Sequence, residues 1–312
     1  MKMRKKKKWL WLLAVIAVIA AGVITYLSGT FVHWGSNEET VMIAGDGYTI
    51  TAQIDGNYIS RSDLDDWMVR RIRYVEGQLG FEKMEDGDVE DMLAALTEEK
   101  LALSYDDIVG KLSSHLSMAE WMTDRIIDIS GGKTKNCITV ITVEGVDLDT
   151  FLAEFDRLQS ENSPENLAVN LAVAPDHYYL GVTEDGQLEV IETCGNTPVQ
   201  SRFFITYGDM DALNSIRDQE YEYQSAGVAR TSAGRVEGGV RHQFTRTENG
   251  FVAQLLVEFP VATPHLYIKY HQMHLACEFS HWVMAAVEED APKRVLRTFF
   301  IRHISVCFPN IL

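Results

Sequence analysis

Residues 236–289 read VEGGVRHQFTRTENGFVAQLLVEFPVATPHLYIKYHQMHLACEFSHWVMAAVEE, and this stretch decides the fold. Val236–Thr245 and Phe251–Phe259 are β-rich segments on either side of Asn249-Gly250, a strong short-range hairpin signal. Pro264 stands where a proline commonly opens a helix, and residues 265–289 then read as one long helix. The same grammar holds further upstream. Tyr178–Thr183 and Leu188–Thr193 flank Asp185-Gly186 as a second hairpin, and Arg202–Tyr207 is a further apolar strand. Cys137–Val143 reads as a strand. Leu148, Phe151, Leu152, Phe155 and Leu158 mark an amphipathic helix. Residues 136–290 are therefore expected to form an α+β domain: an antiparallel meander closed by a long C-terminal helix.

The preceding region has a different texture. Tyr48–Ile54 is a short strand ending in the turn signal Asp55-Gly56-Asn57. Ser60 sits three residues before Asp63, an N-cap pattern, and Leu64, Trp67, Met68, Ile72, Val75 and Leu79 follow at helical spacing. Met92, Ala95, Leu96 and Leu103 suggest a second helix. Ser117-Met118-Ala119-Glu120 reads as a capping box for a third, which closes at Ser130-Gly131-Gly132. Residues 38–132 are thus expected to be a small, mostly helical module, with a domain boundary near Gly131-Gly132. The acidic run Glu82, Glu85, Asp86, Asp88, Glu90, Asp91 lacks the register of a calcium loop and reads as a solvated face.

Charge divides the chain again. It has 312 residues and a formal net charge of -17, yet six positive charges (Lys2, Arg4, Lys5, Lys6, Lys7, Lys8) fall at the very start. Trp9–Leu27 carries no charge, and the first acid is Glu38. A bilayer core needs about 20 apolar helical residues. Residues 1–8 are accordingly expected to be a cytoplasmic basic tail and residues 9–34 an uncleaved membrane anchor, with the remainder on the extracytoplasmic side of the cell membrane. An acidic chain of this kind is no general nucleic-acid binder. Residues 291–312 continue no periodicity and remain unassigned. Cys137, Cys194, Cys277 and Cys307 are widely spaced, and nothing in the spacing suggests a disulfide framework.

Two resemblances follow. A sheet gripped by a long C-terminal helix resembles the helix-grip architecture of START-like domains, a likeness of fold alone. The stretch from Ala52-Gln53-Ile54-Asp55-Gly56-Asn57-Tyr58-Ile59-Ser60 through Asp63-Leu64-Asp65, with Met92–Ala102 beyond it, resembles the N-terminal module of extracytoplasmic chaperone-foldases of the SurA and PrsA type. That resemblance covers residues 50–105. It implies a module that binds unfolded or extended polypeptide. No stretch resembles the parvulin domain those proteins usually carry, so it implies no isomerase activity.

The sharpest chemical signal lies on the long helix. His271, His274, Glu278 and His281 fall within an arc of about 80° at 100° per residue. Imidazoles and carboxylates suit zinc or iron. One straight helix supplies only part of a metal shell, so a partner such as His242 or Glu258 would be needed. The pattern matches no known metal signature, and no cofactor is assigned from it. Arg241 and His242 belong to the second hairpin and offer one wall of a ligand site. The expected ligand-binding set is His271, His274, Glu278, His281, Arg241 and His242. Two functions follow: a membrane-anchored binding protein for polypeptide or a small hydrophobic ligand, or an enzyme performing small-molecule or metal-assisted hydrolysis with the His/Glu stripe.

Overall fold

The computed structural model describes residues 22–23, 29 and 31–287. The expected basic tail and the unassigned residues 291–312 lie outside them, as does most of the expected anchor. Among the described residues no helix is long and apolar enough to cross a membrane.

The fold is α+β. Strands β1 (Ile43–Ala44), β2 (Thr49–Ile54), β3 (Asn57–Tyr58), β4 (Thr134–Glu144), β5 (His177–Val182), β6 (Leu188–Glu192), β7 (Ser201–Tyr207), β8 (Tyr223–Arg230), β9 (Val236–Thr247) and β10 (Gly250–Pro260) make one antiparallel sheet. Its order is β1-β2-β4-β10-β9-β8-β7-β6-β5, with β3 paired to β2. The helices are α1 (Arg61–Leu79), α2 (Val89–Leu101), α3 (Tyr105–Ser130), α4 (Leu148–Ser160), α5 (Pro164–Ala172) and α6 (His265–Val287).

Local chemistry explains most of these boundaries. Asp55 and Gly56 both take positive φ, the geometry of a tight primed hairpin turn between β2 and β3. Ser60 and Asp63 form a reciprocal capping box at the start of α1, and Gly80 closes it in the left-handed region. The third helix departs from the sequence reading. Its capping box is Ser104 with Asp107, and Ser117 sits mid-helix, its hydroxyl donating to the Ser113 carbonyl at 2.9 Å. A serine can satisfy itself by bonding back one turn, so the motif alone does not start a helix. Gly250 is also used differently from a turn glycine. Thr247 pairs with Gly250, and a Cβ there would lie 2.0 Å from the Val143 carbonyl oxygen on β4.

The structure joins the two stretches that the sequence separates. Strand β2 from the first region pairs with β4 from the second, and one hydrophobic core runs through both. All six apolar positions read for α1 are buried in it. Helix α6 is apolar nearly all round, as an internal helix must be, and every residue from His271 to Val283 is buried. It packs against β2 and β4 on one side and against α1, α4, α5 and the turn Cys194–Asn196 on others. The sheet bends around it at Gly238-Gly239. There φ is +137° at Gly238, and added Cβ atoms would lie 1.9 Å from the Glu258 oxygen and 2.4 Å from the Gly227 oxygen.

Candidate metal centre and cavity

The centre is built from two pairs of side chains. His177 opens β5 and Glu192 ends β6, and a shift of register between His177 and Tyr179 sets them across from each other. His274 and Glu278 are an i, i+4 pair on one face of α6. Packing α6 against the sheet edge brings the pairs together. His177 Nε2 lies 3.2 Å from His274 Nε2, 3.3 Å from Glu278 Oε2 and 3.7 Å from Glu192 Oε2. His274 Nε2 lies 3.4 Å from Glu192 Oε2 and 3.5 Å from Glu278 Oε2.

The orientation of His177 is fixed from behind. Its Nδ1 donates to the Asn170 carbonyl at 2.7 Å, which leaves the Nε2 lone pair of the neutral ring aimed at the centre. Behind that, the Lys100 ammonium is wholly buried. It donates to the carbonyls of Leu171, Pro175 and His177 at 3.0, 3.3 and 2.8 Å, pinning the loop that enters β5. His274 Nδ1 has no hydrogen-bond partner and stands 4.0 Å from Asp176 Oδ2. Asp176 is in turn held by Arg71 at 2.7 Å.

Charge is the main fact about this cluster. Two buried carboxylates face two imidazoles. Burial resists a positive His274, but Glu192 and Glu278 override it and hold its pKa well above the ordinary imidazole value. Burial likewise resists ionisation of Glu192 and Glu278, and His274 overrides it and lowers both. A proton on His274 cancels one of the two negative charges, and a second proton on His177 or a cation must cancel the other, because an unmatched buried charge is costly. A divalent cation matches both.

Next to the centre is a cavity of about 160 Å³ between the sheet and α6, with Met122, Thr123 and Ile126 of α3 at its edge. His177, Glu192, Glu278, Cys194, His271, His242 and Glu237 supply its polar surface, and Leu180, Val190, Phe203, Ile205, Leu275 and Phe279 are among its apolar walls. Among the described residues, no Lys or Arg lines it. His242 stacks edge-on to Phe279 at 4.7 Å, its Nδ1 lacks a partner, and burial holds its pKa down to about 4. Glu237 reaches the same cavity because β9 carries an extra residue there, Gly238 pairing with Ala229 and Val236 with Arg230, which breaks the alternation. Burial, then the charges of Glu120 and Asp124, push its pKa up to about 8.

Of the expected residues, His271, Glu278 and His242 line the cavity and His274 completes the centre beside it. His281 faces elsewhere. Its Nδ1 donates to the Cys277 carbonyl and its Nε2 meets Glu90 at 3.2 Å. Arg241 points to the opposite face of β9, donating to Ser215 Oγ at 3.0 Å and Gln224 Oε1 at 2.8 Å. Glu258, one expected partner, accepts from Thr134, Asn214 and Ser215 on that side too. The real partners of the α6 pair are His177 and Glu192. Among the described residues, Cys137, Cys194 and Cys277 are free thiols. The chain matches no protein-family model and no curated protein, and the chemistry of this site is carried by its own geometry.

Proposed function

We propose that this protein binds a divalent metal ion, zinc being the best match, through His177, His274, Glu192 and Glu278, and hydrolyses a small uncharged molecule held in the adjoining cavity. The observation that carries this reading is the convergence of His177, Glu192 and His274, whose ligand atoms lie within 4.8 Å of one another, with Glu278 Oε2 beside both imidazoles. The five separations above, 3.2–3.7 Å, bracket the spacing between neighbouring ligand atoms around a tetrahedral ion with bonds of 2.0–2.1 Å, about 3.3–3.4 Å. Release of one of the four ligands would let such an ion polarise a substrate carbonyl or activate a water.

The chain's own residues supply the rest. His242, kept neutral, accepts a proton, and Glu237, kept protonated, donates one; two groups driven apart in pKa within one cavity suit acid and base work. Apolar walls bind the body of the substrate and exclude water. The absence of Lys and Arg among the described lining residues, in a cavity holding Glu192, Glu237 and Glu278, disfavours anions. The volume suits a molecule of about one ring, since a cavity of about 150 Å³ holds benzene.

The helix-grip likeness belongs to this proposal, as does the anchored, extracytoplasmic location. Capture of a small hydrophobic ligand without turnover is the second reading, favoured by the apolar walls. Binding of extended polypeptide receives less support, because the apolar face of α1 is spent in the core.

The test is metal analysis of the purified full-length protein, followed by hydrolysis of a panel of neutral esters and amides. At least one equivalent of zinc is expected, with activity lost on chelation and restored by zinc. Protein that holds well under one equivalent after zinc loading would overturn the metal reading. Tight ligand binding without turnover by zinc-loaded protein would favour the second.

A further inference from the structure

Beside the first centre stands a second group of ligand atoms. The Glu192 carboxylate, Cys194 Sγ and a ring nitrogen of His271 lie within 4.8 Å of one another. We propose that these three residues hold a second divalent ion, with Glu192 bridging it to the first, so that the centre is binuclear. This inference rests on the metal reading above for the shared role of Glu192.

The geometry of the pair that Glu192 does not supply is already close to that of a bound ion. Cys194 Sγ is 3.6 Å from His271 Nδ1. A tetrahedral zinc ion with Zn–S near 2.3 Å and Zn–N of 2.0–2.1 Å sets those atoms about 3.5–3.6 Å apart. The turn that carries Cys194 is clamped from both sides. Gly195 takes φ +59°, and a Cβ on it would lie 2.4 Å from the Tyr267 carbonyl oxygen of α6. Asn196 also sits at positive φ, a region Asn tolerates better than most residues, and accepts a hydrogen bond from Arg71. Arg71 is the residue that holds Asp176 behind His274, so one guanidinium steadies the surroundings of both sites.

Composition separates the two sites. The first offers four protein ligands, all nitrogen or oxygen. The second offers three, one of them sulfur, and all three line the cavity. Three protein ligands with one open position is the make-up of a catalytic zinc site, whereas four is that of a closed one. The second ion would therefore be the one that meets substrate. Ions that share a bridging carboxylate stand about 3.5–4 Å apart, a spacing compatible with the stacking of the His271 and His274 rings at 5.1 Å. Binding forms a sulfur–metal bond and releases the thiol proton to solvent, with no change of oxidation state.

The experiment loads full-length protein with zinc and, separately, with cobalt(II). Two equivalents of metal are expected in the unaltered protein and one in Cys194→Ala. The cobalt form should show near-ultraviolet thiolate-to-cobalt charge transfer, absent from Cys194→Ala. The cobalt spectrum needs no variant, so a poorly folded Cys194→Ala does not spoil the test. A single equivalent that His177→Ala removes and Cys194→Ala leaves, with no thiolate charge transfer, overturns the second ion and keeps the first. No metal in the unaltered protein overturns both.

Discussion

Helix α6 carries two polar clusters of nearly the same composition, and they are different things. At its outer end His281 is in a closed circuit: Nδ1 donates to Cys277, Nε2 meets Glu90, and Glu90 accepts from Arg61 at 2.8 Å. Every charge there has an opposite neighbour. Earlier on the helix, His274 and Glu278 meet His177 and Glu192 with both Nε2 atoms turned toward each other and two carboxylates around them. The first arrangement is complete as it stands. The second needs positive charge that the neutral side chains lack: a proton on each imidazole or a divalent cation. Residue type does not distinguish a site from a buried ion pair; the direction of the lone pairs and the sum of the charges do.

That contrast is broken most directly by removing one member from each cluster. His177→Ala should lower zinc affinity by about 100-fold or more, since second-shell changes alone cost 10–100-fold. His281→Gln should leave it unchanged. Equilibrium dialysis against a zinc indicator decides it, and equal losses in both variants would erase the distinction. Next in size is metal-linked stability. Zinc held at about 100 times its dissociation constant should stabilise the fold by about 2.7 kcal/mol. Thermal unfolding with and without zinc should show this rise in the unaltered protein and lose it in His274→Ala.

Much of this architecture is legible in the sequence. The hairpins at Asp55-Gly56 and Asp185-Gly186, the capping box at Ser60 and the long helix after Pro264 are local signals, and local chemistry sets them in place. The His/Glu stripe was visible for the same reason. Its partners were not singled out, because His177 and Glu192 sit on a different hairpin and reach α6 only through tertiary packing. The turn at Asp185-Gly186 carries only part of the signal: its register runs from Val182–Leu188 to Tyr179–Ile191 and, continued, would set Tyr178 across from Glu192, whereas an irregularity between His177 and Tyr179 brings His177 there instead. His281 was grouped with the site because helical spacing reports a shared face and not which neighbour covers each turn of it. The pairing of β2 with β4, which merges the two expected units, depends on contacts across almost a hundred residues and leaves no mark in local pattern.

The outer cluster should show itself in pH-dependent stability. Burial opposes charge on His281, but Glu90 overrides it and raises its pKa well above the ordinary 6.5. Stability from that shift is full below 6.5 and is lost as pH rises through the raised value. Burial also opposes ionisation of Glu90, yet His281 and Arg61 lower its pKa from 4.5 to about 2, so its contribution is full above 4.5 and is lost as pH falls through about 2. The pair is therefore strongest between pH 4.5 and 6.5. Within that window His281→Gln should cost about 1.5–3 kcal/mol, the range for hydrogen bonds to charged groups, and the cost should shrink on both sides. A cost that stays flat from pH 3 to pH 9 would mean packing and not charge holds His281.

The smallest effect sharpens the comparison inside the cavity itself. Glu192 and Glu278 face imidazoles and are held below the usual carboxylate range, whereas Glu237 is raised from 4.5 to about 8 by burial and by Glu120, Asp124 and Glu192. The sign is opposite. Between pH 4.5 and 8 the folded protein keeps a proton on Glu237 that the unfolded chain has released, so this residue makes stability fall as pH rises. Glu237→Gln removes the ionisation and keeps the shape. It should flatten that part of the stability–pH profile and leave the variant more stable than the unaltered protein at pH 8, by at least about 1.4 kcal/mol, the value of one pKa unit. Unfolding in urea across this range is the measurement. An unchanged slope would show that Glu237 is ionised in the folded protein at neutral pH. It would then lose its role as proton donor, and the acid–base pairing with His242 would fall with it.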